Sequence, residues 1–115
     1  MKISYKDKEF YSEKDLALSV IGGRCKIAIV WCLLQKSPLR LNEFEKMLPF
    51  VNQRMLIRQL RELEEDRVII RFVDPNSALK VEYGLSEIGQ SLEPVVTAIC
   101  DWGAEFNEYV KNGKD

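Results

Sequence analysis

The 115-residue chain contains no histidine. That removes the commonest general base near neutral pH and a principal ligand of zinc. Cysteine is sparse: Cys25, Cys32 and Cys100 are the only three, and no two form a Cys-x-x-Cys pair. A structural zinc site wants four Cys or His ligands at close spacing, which this set cannot supply. Each cysteine stands among apolar neighbours, so burial as a reduced thiol is expected ahead of a redox role. There is also no glycine-rich phosphate loop and no serine in a nucleophile elbow. The paired acids Glu64 and Glu65 fall at a helix end, where solvation explains them. The residues therefore call for no catalysis, no metal and no cofactor. Long apolar runs are missing too: nothing approaches the ~20 residues of a membrane-spanning helix. Met1–Lys14 is polar and mixed in charge, without the apolar core of a secretory signal. A cytoplasmic location without a membrane partner is expected.

What is present suits one small domain across 1–115. A chain of this length buries about 65% of its unfolded surface, enough for one core. Its composition, 46% hydrophobic and 30% charged, is ordinary for a globular protein. The formal net charge of −1 argues neither for nor against a nucleic-acid partner. The distribution is more informative. Asn52 to Arg61 carries three arginines and no acid, whereas Glu87 to the end carries six acids against two lysines.

Periodicity supplies the elements. Ser12 is a candidate N-cap for a helix to Ile21 with Leu16, Ala17, Val20 and Ile21 on one face, ended by Gly22-Gly23. A helix over Arg24–Gln35 is apolar nearly all round between Ile27 and Leu34, which places it mid-core. Leu41–Leu48 sets Leu41, Phe44, Met47 and Leu48 at helical spacing before Pro49. Asn52 can cap a longer helix to Asp66, with Leu56, Leu60 and Leu63 as its apolar stripe and Met55 at the edge. The period then changes. Val68–Val73 and Leu79–Leu85 read as strands around an Asp74–Ser77 turn. Ser86-x-x-Gly89 opens a further helical region, and Pro94 begins a last helix. The predicted fold is α+β, mostly α: a winged helix-turn-helix with a two-stranded wing and terminal helices.

On the Asn52 helix, turning the leucines inward leaves Gln53, Arg54, Ile57, Arg58 and Arg61 on or beside the outer face. Arginine can fork onto guanine, and Asn or Gln onto adenine, so Asn52, Gln53 and Arg54 suit base edges. Arg58 and Arg61 suit phosphates, and the positive helix start adds attraction for an anion. A plainer reading competes: a solvated helix whose arginines pair with Glu62 and Glu65 four residues on. Arg71 and Lys80 flank the hairpin tip, where a wing could reach DNA, although cations on hairpins also guard against edge pairing. Arg40, just before the third helix, is another candidate phosphate contact.

Several strings resemble the HxlR-type branch of winged-helix regulators, relatives of the MarR group. They are Ile21-Gly22-Gly23-Arg24, Pro38-Leu39-Arg40 with Asn42-Glu43, Gln53-Arg54-Met55-Leu56, and Gln59-Leu60-Arg61-Glu62-Leu63-Glu64-Glu65-Asp66. Val81-Glu82-Tyr83, Leu85-Ser86 with Gly89, and Cys100-Asp101-Trp102-Gly103 complete the series in order. The resemblance implies a transcription factor, expected to be a repressor, that binds double-stranded DNA as a homodimer. It implies a DNA-binding core at about 24–85 and a C-terminal dimerisation helix at about 94–112. The apolar stripe Val95, Ile99, Trp102, Phe106 and Tyr109 agrees, unless it folds back onto its own core. Two recognition helices would then lie roughly 34 Å apart on a near-palindromic operator. A small-molecule effector is compatible with this class, and the sequence identifies none.

The chain departs from that family in three places. Many members carry a cysteine ahead of the first helix. Here the stretch reads Phe10-Tyr11-Ser12-Glu13, and serine forms no thiolate, so that sensing mode should be absent. The tryptophan usual after the Gly-Gly-Arg unit is Cys25, which either shrinks a core side chain, opens a pocket or supplies a new thiol. The glycine usual before the first wing strand is Arg67, a further candidate phosphate contact. One other function remains open from sequence: a winged-helix module that binds protein instead of DNA.

Overall fold

The computed structural model describes residues 2–113. Its elements run β1 (Ile3–Tyr5), β2 (Lys8–Phe10), α1 (Glu13–Ile21), α2 (Lys26–Gln35), α3 (Leu41–Met47) and α4 (Gln53–Glu65). They continue with β3 (Ile69–Asp74), β4 (Ser77–Leu85), α5 (Glu87–Gln90) and α6 (Glu93–Lys111). The arrangement is a winged helix-turn-helix: α3, a turn and α4 precede the antiparallel β3–β4 hairpin.

The core gathers around α2. Ile29, Val30, Cys32 and Leu33 lie between 0% and 2% exposed, as its all-round apolar run requires. From α4 come Leu56, Leu60 and Leu63, none more than 1% exposed, and from α3 comes Phe44. Full burial of each such leucine is worth about 1.5–3 kcal/mol. This seam fixes which side of α4 faces outward. The helix start is set locally: the Asn52 side chain accepts from the Met55 N–H at 2.8 Å, satisfying one donor that the helix leaves open. Ser12 caps α1 in the same way through the Asp15 N–H. Ser86 caps α5 through the Gly89 N–H and donates to the Val68 carbonyl. Gly89 packs so closely on that carbonyl that a Cβ would collide with it.

The wing pairs Ile69 with Leu85, Arg71 with Tyr83 and Val73 with Val81, and its register slips between Val73 and Asp74. Leu39 joins the hairpin from the α2–α3 loop by exchanging two backbone hydrogen bonds with Tyr83, at 2.9 and 2.8 Å. Tyr83 also meets Phe44 edge to face, with centroids 6.1 Å apart. The wing is thus tied to the helix before α4.

Three features differ from the sequence expectation. The polar N-terminal stretch forms a small hairpin, β1–β2, turning at Lys6-Asp7 with φ of 51° and 61°; positive φ at both central residues is the turn that matches strand twist. Helix α1 buries none of its expected face fully: Leu16, Val20 and Ile21 are half-buried, with Val20 against the core, and Ala17 is exposed. Cys100 is exposed, whereas Cys25 and Cys32 are buried as expected; Cys100 sits on α6, every residue of which except Val96 is exposed. The α6 stripe does not take the alternative of folding back onto its own core. Val96 is the one residue of α6 that is buried, and Val95, Ile99, Trp102, Phe106 and Tyr109 range from 40% to 63% exposed. The radius of gyration is 16.2 Å, against about 13 Å for a compact chain of this length. The projecting helix accounts for the excess.

Candidate nucleic-acid interface

With the leucine seam buried, α4 presents Gln53, Arg54, Ile57, Arg58 and Arg61 to solvent, and Asn52 stands exposed at its cap. Among the described residues no carboxylate lies within ion-pairing distance of Arg54, Arg58 or Arg61. The plainer expectation of pairing with Glu62 and Glu65 is not what the structure contains. Glu62 instead accepts the Lys26 ammonium at 2.8 Å. Lys26 is buried, its side chain only 5% exposed, a position the sequence reading did not single out. A buried cation without its partner would cost several kcal/mol, so Glu62 is committed inward. Gln59, also buried, bridges the two helices: its carbonyl accepts from the Cys25 N–H and its amide donates to Glu62.

Asp66, the residue that caps the C-terminal end of α4, is engaged as well. It accepts from the Tyr5 hydroxyl at 2.6 Å and from Lys6 at 2.7 Å. The N-terminal hairpin therefore clasps the end of α4 opposite its arginines. Burial alone would push the Asp66 carboxyl up, but the hydrogen bonds from Lys6 and Tyr5 outweigh it and hold it below the usual value. The bond to Asp66 in turn raises the Tyr5 hydroxyl.

Arg71 and Lys80 stand on the two arms of the wing, and the structure turns them to opposite sides of the hairpin. Arg71 and Tyr83 form a cross-strand pair on the side facing α4, where they line a groove of about 500 Å³ with Ile57, Arg61, Glu64 and Glu65. There the Arg71 guanidinium reaches Glu64 at 3.4 Å, so part of its charge is spent on α4. Lys80 instead shares the other side with Phe72 and Glu82, in a groove of about 490 Å³ that Arg40 also lines. The structure thus brings Arg40 together with Lys80, and Arg61 with Arg71, while Arg54 and Arg58 stand on the open face of α4. Asn52 is qualified too: its oxygen is occupied by the cap, which leaves chiefly its amide to contact anything else.

Arg67 adopts φ of 61°, the left-handed region that favours glycine. This gives a physical reason for the glycine that the resemblance implies there: the chain must turn sharply from α4 into β3. The Arg67 side chain is exposed. Cys25 is buried at the edge of a groove of about 340 Å³ that it lines with Arg24, Phe50, Val51, Asn52 and Met55. Burial raises both inner thiols, Cys32 to about 11, with the Lys26 charge partly opposing the rise at Cys25. Both are therefore protonated near neutral pH. Among the described residues no cluster of Cys, Asp or Glu could hold a metal ion, and no single helix is long and apolar enough to cross a membrane.

A helix-turn-helix with an outward arginine face and a tethered wing defines a regulator of the winged-helix class. Residues 20–111 match the HxlR-like helix-turn-helix family model, and the chain belongs to that family. It is 39% identical over 106 residues to an uncharacterized HTH-type transcriptional regulator of Methanothermobacter thermautotrophicus, covering 92% of this chain and 80% of the relative. Among solved structures it is similar to the redox regulator HypR in its reduced form: TM-score 0.79, 37% identity, covering 88% of this chain and 99% of that one. It also resembles a regulator classed with the MarR family from Enterococcus faecalis V583, with TM-score 0.72 and 29% identity over 96% of this chain and 99% of that one. The protein is a transcriptional regulator of HxlR/MarR type.

Proposed function

We propose that this protein binds double-stranded DNA sequence-specifically, as a homodimer on a near-palindromic operator in the cytoplasm, and represses transcription there. One observation carries the reading: Arg54, Arg58 and Arg61 face solvent unpaired by any described carboxylate, on a helix anchored by fully buried leucines. Arg54, in the first turn, has the reach for a guanine edge, and Arg58 and Arg61 are placed for phosphates. Arg40 and Lys80 extend the positive surface along one side of the wing, and Arg71 lies beside Arg61 on the other. Residues 24–85 form the DNA-binding part, and the helix at 94–112 joins the two protomers. The exposed stripe of Val95, Ile99, Trp102, Phe106 and Tyr109 supports that division, since so much apolar surface on one helix calls for a partner. In such a dimer the reading requires no catalysis. A small-molecule effector would be an addition to it.

The test is a salt series with duplex DNA. A protein making about six phosphate contacts loses affinity with a log–log slope near −5. Arg54→Ala is expected to lower preference for the operator over random duplex by about 1–3 kcal/mol at the contacted base pair. Absence of binding to any duplex at low salt would refute the reading, and favour a protein-binding winged helix.

A further inference from the structure

Two amide side chains open the outward face of α4, and the structure commits them differently. The Asn52 oxygen is consumed by the helix cap at 2.8 Å. Gln53 instead donates from Nε2 to the Glu45 carboxylate of α3, at 3.2 Å. A carboxylate only accepts, so the Gln53 amide must turn its nitrogen toward Glu45 and its oxygen away. One amide hydrogen is used, and Oε1 with the second N–H remains free. That remaining pair, an acceptor beside a donor, matches adenine in the major groove, which offers N6–H₂ and N7. Asn52 lacks an equally free acceptor. Glu45 is half-buried, with no cation near it among the described ion pairs. Among the described residues its one side-chain partner is Gln53.

We infer that Glu45 is a positioning residue that holds Gln53 to read an adenine in each half-site. This rests on the DNA-binding reading above and adds a base and an orienting group to it. Two consequences of opposite sign follow from the chemistry of Glu45. Its hydrogen bond limits the rotamers of Gln53, so fewer are lost when a base is contacted. Its negative charge, near the phosphates, weakens binding to every duplex. Removing it should therefore reduce discrimination while strengthening non-specific attachment, a combination that loss of local structure would not produce.

The experiment is a selection from randomised duplex with the parent protein, Gln53→Ala, Glu45→Ala and Glu45→Gln, each first checked for an unchanged thermal melt. The parent is expected to select adenine at one position per half-site. Gln53→Ala should lose that preference roughly ten-fold, and Glu45→Ala should weaken it several-fold at the same position. Glu45→Ala should also bind random duplex at least as tightly as the parent. Glu45→Gln keeps an acceptor for the amide and should keep the adenine preference. If Glu45→Ala retains the parent's preference, or Gln53→Ala changes a position other than an adenine, the inference is wrong while the parent's motif and the Arg54→Ala effect survive. If the parent selects no sequence at all, the underlying reading fails and takes this one with it.

Discussion

Replacing Trp102 by aspartate probes the projecting helix at its largest side chain. Trp102 is 63% exposed in the isolated chain and stacks on Phe106 with centroids 5.2 Å apart. A tryptophan offers up to about 250 Å², so about 160 Å² of it is available for a second copy to cover. At ~25 cal/mol per Å² that surface is worth about 4 kcal/mol, and a two-fold interface counts it twice. Only part of such a sum survives the cost of association. Even one third of the doubled figure, about 2.7 kcal/mol, shifts Kd roughly a hundred-fold. Aspartate does more than delete the area, because it carries a charge into an apolar seam beside Ile99 and Phe106. The expected result is a monomer at micromolar concentration by sedimentation, with an unchanged helical signal, since little of α6 beyond Val96 supports the core. An intact dimer for Trp102→Asp would remove this stripe from the interface and the reasoning with it.

Arg67→Gly should stabilise the fold by about 0.5–1 kcal/mol, because glycine relieves the left-handed backbone at φ 61° and gives back part of the gain in unfolded-state entropy. A melting temperature that falls would contradict this. Tyr5→Phe should destabilise by about 1 kcal/mol at pH 7 through the lost hydrogen bond to Asp66. Asp66 has its carboxyl depressed in the folded state by Lys6 and Tyr5 against its burial, so its contribution is full above its unfolded value near pH 4 and is lost as pH falls through the lower folded value. The gap between parent and Tyr5→Phe in urea melts should narrow below pH 4, and a constant gap would place the effect elsewhere.

Helix α4 was legible because everything that defines it is local. The leucine spacing, the Asn52 cap and the switch from arginine to acid can be counted along the chain, as can the Ser86 cap before α5. The N-terminal hairpin was not legible. Its strands have three residues each, and its turn residues, Lys6 and Asp7, carry no glycine to announce positive φ. The opposite placement of Arg71 and Lys80 was hidden by the slip at Val73/Asp74, which spoils any count of alternation across the tip. Cys100 looked buried because its neighbours Val95, Val96 and Ile99 are apolar. Whether they cover a thiol depends on what lies against α6, and a single chain does not encode that locally.

The clasp on α4 also explains why a net charge of −1 says so little about an anionic partner. Three acids in the C-terminal part of α4 and its cap are each held by a cation or donor of another element: Glu62 by Lys26, Glu64 by Arg71, and Asp66 by Tyr5 and Lys6. Those pairs cancel locally. Over distances near the ~8 Å Debye length of physiological salt, a phosphate approaching the first turns of α4 meets Arg54 and Arg58 and the positive end of the helix, with Glu45 as the nearby opposing charge tied to Gln53. Sequence-wide charge adds the cancelled pairs to the free ones and loses the distinction. Breaking these contacts would then act at a distance: freeing Asp66 or Glu62 would restore negative charge to the back of α4, without touching any residue of the outward face.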